Sequence, residues 1–157
     1  MRRSAWGALP LALALAVGAI GPAGAEARRA STHPIGRCDW PMWGYRVERT
    51  FATRCKGELT ARTVKRLRLR WFFNTDDVVT ATPAVADGTL YVGDWSGKIY
   101  ALRTRDGRPR WTYRAKVHPE VYSGQIVGSA VVADVAGTRT VYVPAGKTLY
   151  ALRAADG

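Results

Sequence analysis

The chain has 157 residues, 47% of them hydrophobic and 23% charged, a balance that excludes general disorder and accommodates one globular domain with a usable core. Its formal net charge of +12 invites a nucleic-acid partner. The arginines, however, are scattered through "EARRA", "ARTVKRLRLR" and "ALRTRDGRPR", and no nucleic-acid motif accompanies them, so none is expected.

Residues 1–25, "MRRSAWGALPLALALAVGAIGPAGA", carry two arginines, an apolar stretch and then Ala23, Gly24 and Ala25. This is the pattern of a secretory signal peptide, with cleavage expected before Glu26. Pro10 and Gly18 interrupt the apolar run, which is short for a membrane span, so export to a secreted or periplasmic location is expected, with no span after signal removal. No cysteine follows the signal, which argues against a lipid anchor. Residues 26–37 lack periodicity and read as a flexible lead-in.

Cys38 and Cys55 are the two cysteines of the chain. In an exported protein an even count, close in sequence, reads as one disulfide. Their spacing is not that of a zinc or CxxC site, and no CxxCH for covalent haem is present. The loop between them, "CDWPMWGYRVERTFATRC", is rich in large aromatics. After it, "GELTARTVKRLRLRWFFN" alternates at Leu67, Leu69 and Trp71, which suits a strand and completes a segment of residues 38–75.

Residues 76–114 divide into four short β runs, "VVTATPAVA", "TLYVGD", "KIYALR" and "PRWTYR", separated by Asp87-Gly88, Ser96-Gly97 and Asp106-Gly107. Such turn pairs predict an antiparallel meander. Residues 115–157 repeat the order with "QIVGSAVVAD", "RTVYVP" and "KTLYALR", ending at Asp156-Gly157 without a fourth run. Thr82 matches Ser129, Tyr91 matches Tyr142, Tyr100 matches Tyr150 and Ala101 matches Ala151. A period of about 40 to 50 residues is that of a four-stranded propeller blade. The expected fold is all-β: an incomplete β-propeller of four-stranded antiparallel blades, about two blades plus one outer strand.

"ALRTRDGRPRW", with Ala101, Gly107 and Trp111 at relative positions one, seven and eleven, resembles the tryptophan-docking motif of the pyrroloquinoline quinone (PQQ) repeat propellers. Arg103 and Asp106 depart from the residues usual there. The resemblance covers about residues 38–157, with "CDWPMWGY" and "WFFN" similar to the leading segments of secreted quinoprotein dehydrogenases. It implies that Trp71, Ala101, Gly107, Trp111, Ala151 and Gly157 dock blades together, the small residue leaving room for an indole from the neighbouring blade and glycine permitting the turn. It also implies that the "WFFN" strand closes a blade whose other strands lie elsewhere, and that the chain is the leading part of a larger ring.

An exported quinoprotein alcohol dehydrogenase, acting on small or polymeric alcohols, is one function the resemblance implies. A non-catalytic propeller that scaffolds or binds other envelope proteins is the alternative. The enzyme would need PQQ and calcium, and the family's ligand set, including its adjacent-cysteine pair, is not matched in these residues. The channel-loop candidates are Glu120, Ser123 and Gln125 for a cofactor, in the loop that also carries His118 and Tyr122, and Asp76 and Asp77 for calcium. Adjacent loop carboxylates are more often simply solvated, and the catalytic residues stay unassigned. Trp95, in the turn "GDWSGK", is expected to pack rather than bind. No Ser-His-Asp arrangement, P-loop or zinc signature is present.

Overall fold

The computed structural model describes residues 34–53, 55, 59–116 and 125–157. The expected signal peptide, most of the lead-in, and the candidates His118, Glu120, Tyr122 and Ser123 lie outside the described residues. Within them the chain is built of strands: β1 (Ala84–Ala86), β2 (Thr89–Gly93), β3 (Lys98–Arg103), β4 (Pro109–Arg114), β5 (Val131–Val135), β6 (Thr138–Ala145) and β7 (Thr148–Arg153). One turn of 3₁₀ helix, Val64–Arg66, precedes them.

The strands form two antiparallel meanders, a four-stranded sheet β1-β2-β3-β4 and a three-stranded sheet β5-β6-β7. Asp87 and Gly88 both take positive φ, 48° and 67°, the mirror-image turn whose twist matches a tight hairpin. Ala136 and Gly137, at 48° and 75°, make the same turn between β5 and β6, although alanine is an unfavoured residue there.

Three strand expectations shrink, "QIVGSAVVAD" contributing only from Val131 on, to β5. The run "VVTATPAVA" contributes only Ala84–Ala86, because Pro83 has no N–H for the ladder and the residues before it pair elsewhere: Val78 O accepts from Trp95 N–H at 3.0 Å and Thr82 N–H donates to Ser129 Oγ at 3.0 Å. Residues 67–75 form no ladder among the described residues, and Leu69 is 81% exposed. Alternation there is real, but no neighbouring strand among the described residues turns it into a sheet.

Side chains alternate across each sheet, so each has two faces. One face of the first sheet, formed by Leu90, Val92, Tyr100 and Leu102, packs on Trp71 and Phe73. The other, formed by Tyr91, Ile99 and Ala101 with Trp111 and Tyr113, packs against Val141, Val143, Tyr150 and Leu152 of the second sheet. β1 and β5 are also in contact. The chief core therefore lies between the sheets, as blades stack in a propeller.

Candidate functional site

Two tryptophans are seated in the same way on two successive sheets. Trp71 Nε1 donates to Thr104 O at 2.8 Å, and Trp111 Nε1 donates to Ala154 O at 3.0 Å. Thr104 and Ala154 occupy the same place in "ALRTRDG" and "ALRAADG". Two residues on, Phe73 meets Tyr100 edge-on at 5.3 Å and Tyr113 meets Tyr150 at 5.6 Å. Further along again, Asp76 N–H donates to Tyr100 Oη at 3.0 Å and Lys116 N–H donates to Tyr150 Oη at 2.9 Å. Segment 71–76 thus sits on the first sheet as segment 111–116 sits on the second.

The turn glycines explain why the indoles fit. Gly107 has φ 71°, and a Cβ on it would stand 2.6 Å from Trp71 Cε3; Gly157 has φ 87°, and its Cβ would stand 3.3 Å from Trp111 Cε3. Glycine is required for both the left-handed backbone and the close approach. Tyr91 adds to the second seat, its ring 5.9 Å from Trp111 and its hydroxyl donating to Ala154 O at 3.3 Å. Burial raises the Tyr91 hydroxyl pKa, so it stays a donor at neutral pH.

Ala101 acts differently from the expectation. It lies on the opposite face from Trp71, directly across from Trp111 in its own sheet, so its small side chain makes room for its own blade's indole. Ala151 is exposed where Ala101 is fully buried, because no sheet covers that face of β7 among the described residues. Arg139 adds an ionic link across the sheets: buried in the second, it pairs with Asp134 at 2.7 Å and with Asp87 in the first.

The most polar buried point is Asp94, 0% exposed at the end of β2. One carboxylate oxygen accepts from Ser96 Oγ at 2.7 Å and Lys98 N–H at 3.1 Å. The other accepts from Tyr100 Oη at 2.8 Å, Asp76 N–H at 3.1 Å and Asp77 N–H at 3.2 Å. Burial pushes the Asp94 pKa up, but the hydrogen bonds from Ser96, Tyr100, Lys98 and Asp77 outweigh it and leave it below the ordinary 3.8. Burial first, and then the facing Asp94 carboxylate, raise the Tyr100 pKa. Composition and spacing gave no signal for Asp94; a lone acidic residue before a Ser-Gly turn reads as a turn residue.

Asp76 and Asp77 therefore have structural partners. The Asp76 carboxylate pairs with Lys98 and lies 3.7 Å from Arg114, and the Lys98 hydrogen bond leads in holding its pKa low. Asp77 Oδ1 accepts from Val78 N–H at 2.7 Å. A carboxylate already neutralised by cations is a poor start for a calcium shell of six to eight oxygens. Among the described residues no group of three or more His, Cys, Asp or Glu side chains converges. Gln125 stands next to the buried Ile126, and its Oε1 is buried without a partner among the described residues. One amide oxygen does not make a quinone site, so the described residues do not fit a resident PQQ–calcium centre. Trp95 is half-buried, its Nε1 donating to Thr80 Oγ1 at 3.0 Å. Cys38 and Cys55 are joined in a disulfide.

Among the described residues no helix is long and apolar enough to cross a membrane. A family model described as "Outer membrane protein assembly factor BamB", of the PQQ repeat type, matches residues 22–157. The chain is 34% identical over 109 residues to lupanine 17-hydroxylase [cytochrome c] of a Pseudomonas species, covering 68% of this chain and 15% of that protein. It is 36% identical over 81 residues to the quinohemoprotein alcohol dehydrogenase of Comamonas testosteroni, covering 50% of this chain and 11% of that protein. The crystal structure of that dehydrogenase superposes with a TM-score of 0.59 at 31% identity, covering 83% of this chain and 19% of the other. The chain thus spans only a small share of these relatives' length. With the paired tryptophan seats and the match over residues 22–157, the chain belongs to the PQQ-repeat β-propeller family.

Proposed function

We propose that this chain supplies two stapled blades and one outer segment to an exported quinoprotein-like propeller that oxidises alcohols with PQQ and calcium, polymeric alcohols included. The observation that carries the larger ring is the face of the second sheet that no sheet covers among the described residues. Leu149 and Ala151 stand where Ile99 and Ala101 are fully buried in the first sheet, and Leu149 is 66% exposed. Exposed apolar positions that are core in the repeat call for another blade. Similarity to a quinohemoprotein alcohol dehydrogenase and to lupanine 17-hydroxylase favours oxidative chemistry.

In this reading the two blades act as wall and scaffold, and the ligands of the quinone and the metal come from other parts of the ring. PQQ would supply two-electron oxidation of the alcohol. The 157 residues alone are expected to be inactive. The signal-like residues 1–25 and the Cys38–Cys55 disulfide support an oxidising compartment outside the cytoplasm.

The test is an assay of the whole exported protein, loaded with PQQ and calcium, for alcohol-dependent dye reduction. Reduction with primary, secondary or polymeric alcohols supports the enzyme. No reduction with any of them favours a second reading, a non-catalytic scaffold for envelope proteins. That reading draws on the family description as an assembly factor and on the lack of converging metal ligands among the described residues.

A further inference from the structure

The dipeptide Trp40-Pro41, inside the disulfide loop, touches the first strand of both sheets through its backbone. Trp40 N–H donates to Val85 O at 2.8 Å, and Trp40 O accepts in return from Val85 N–H at 2.7 Å, forming an antiparallel bridge with β1. One residue later, Pro41 O accepts from Val132 N–H in β5 at 2.7 Å. Trp40 gives both its backbone groups to one blade, and proline, which has no N–H to satisfy, gives its single carbonyl to the next. β1 and β5 are edge strands of their sheets, each paired on one side only with β2 or β6, and a propeller turns one edge of every blade toward its central channel.

The rest of the loop holds this dipeptide in place. Asp39 carboxylate accepts from Gly36 N–H at 2.7 Å. Tyr45 is buried, with its ring 5.4 Å from that of Trp40. Tyr45 Oη and Thr53 Oγ1 both donate to Arg37 O at 3.0 Å. The Cys38–Cys55 bond, across a sequence separation of 17, closes the loop immediately before these contacts.

We infer that the disulfide loop is an axis-side clamp: it ties the innermost strands of the two blades to each other and seals strand edges that would otherwise be open, with the Cys38–Cys55 bond as its latch. An axial ligand at these blades would meet the loop rather than bare strands. The tryptophan seats hold the blades together through their packed faces, whereas the clamp holds them at their first-strand edges, so the two can be separated. Opening the latch needs a reductant. A dithiol gives two electrons and two protons to the S–S bond, yielding the Cys38 and Cys55 thiols, and is itself oxidised to a disulfide.

The test is amide hydrogen exchange on the whole chain, first oxidised and then after dithiothreitol is added to the folded protein, with the double variant Cys38→Ser/Cys55→Ser as a second form. The expected result is exchange at the Val85 and Val132 amides that is faster by about tenfold or more, with the Tyr100 and Leu102 amides unchanged. Unchanged protection of Val85 and Val132 after reduction would show that the disulfide is not the latch. Equal acceleration at Tyr100 and Leu102 would show a bond that supports the whole fold, and would also overturn the clamp.

Discussion

Segment 71–76 on the first sheet and segment 111–116 on the second use the same indole, ring and amide contacts, but they differ in what lies behind them. Segment 111–116 includes most of β4, so Trp111 is carried by a ladder. Segment 71–76 has no ladder among the described residues and depends instead on Asp94, whose carboxylate accepts from the amides of Asp76 and Asp77. The position matching Asp94 in the second sheet is Ala145, buried and apolar. Where sheet pairing already fixes the incoming segment, an alanine is enough; where it does not, a buried anion ties two free N–H groups down.

The largest expected effect tests that contrast. Trp111→Ala removes an indole that joins two sheets and should lower stability by about 3–5 kcal/mol in urea unfolding. Trp71→Ala should cost only about 1–2 kcal/mol of global stability, because its loss releases a segment that has no ladder to break. Equal losses would mean the two seats are equivalent after all.

Asp94→Ala, which places the second sheet's residue in the first, should cost about 3 kcal/mol by stranding the Asp76 and Asp77 amides and the Tyr100 hydroxyl. Its pH dependence has a definite sign. The folded pKa of Asp94 is lowered, so its contribution is complete above the ordinary carboxylate value and fades as pH falls through the lower folded value. The stability gap between wild type and Asp94→Ala should therefore begin to narrow below about pH 4 and go on narrowing as pH falls further. A gap that stays constant down to pH 2 would rule out the carboxylate as the source.

Smaller effects separate the two turns. Gly107→Ala should cost about 1–3 kcal/mol, since its Cβ would overlap Trp71 on a left-handed backbone. Gly157→Ala, with the wider approach, should cost about 1 kcal/mol less by the same unfolding measurement. The smallest change is expected for Asp87→Asn, about 0.5 kcal/mol and diminished by added salt, because Arg139 retains Asp134 and Asp87 is half exposed. A loss above 2 kcal/mol would show that this ion pair, and not the packed faces, joins the sheets.

Much of this architecture is legible in the sequence because a propeller writes its punctuation locally. Asp87-Gly88, Asp106-Gly107 and the echo "ALRAADG" mark turns and period without any knowledge of distant contacts. The Trp71 and Trp111 seats follow from the same motif. What stays hidden are the contacts that depend on which face a residue occupies. Ala101 and Ala151 share a motif position, yet one is covered and the other bare, and only sheet stacking decides that. Asp94 is likewise silent, since its five donors come from two separated stretches of chain, 76–77 and 96–100. Trp40-Pro41 gives no hint of bridging two blades, because its contacts are made by backbone groups that every sequence possesses.

Both indoles donate to a main-chain carbonyl, Thr104 O in one turn and Ala154 O in the other. A side-chain acceptor would bind each seat to one residue type, whereas a peptide oxygen is supplied by any residue that can hold the turn. The seat can thus survive substitution at the acceptor position, as threonine and alanine already demonstrate within one chain. Blades built this way can drift apart in sequence while their joints stay interchangeable, which makes exchanging Thr104 and Ala154 the gentlest way to graft one turn onto the other.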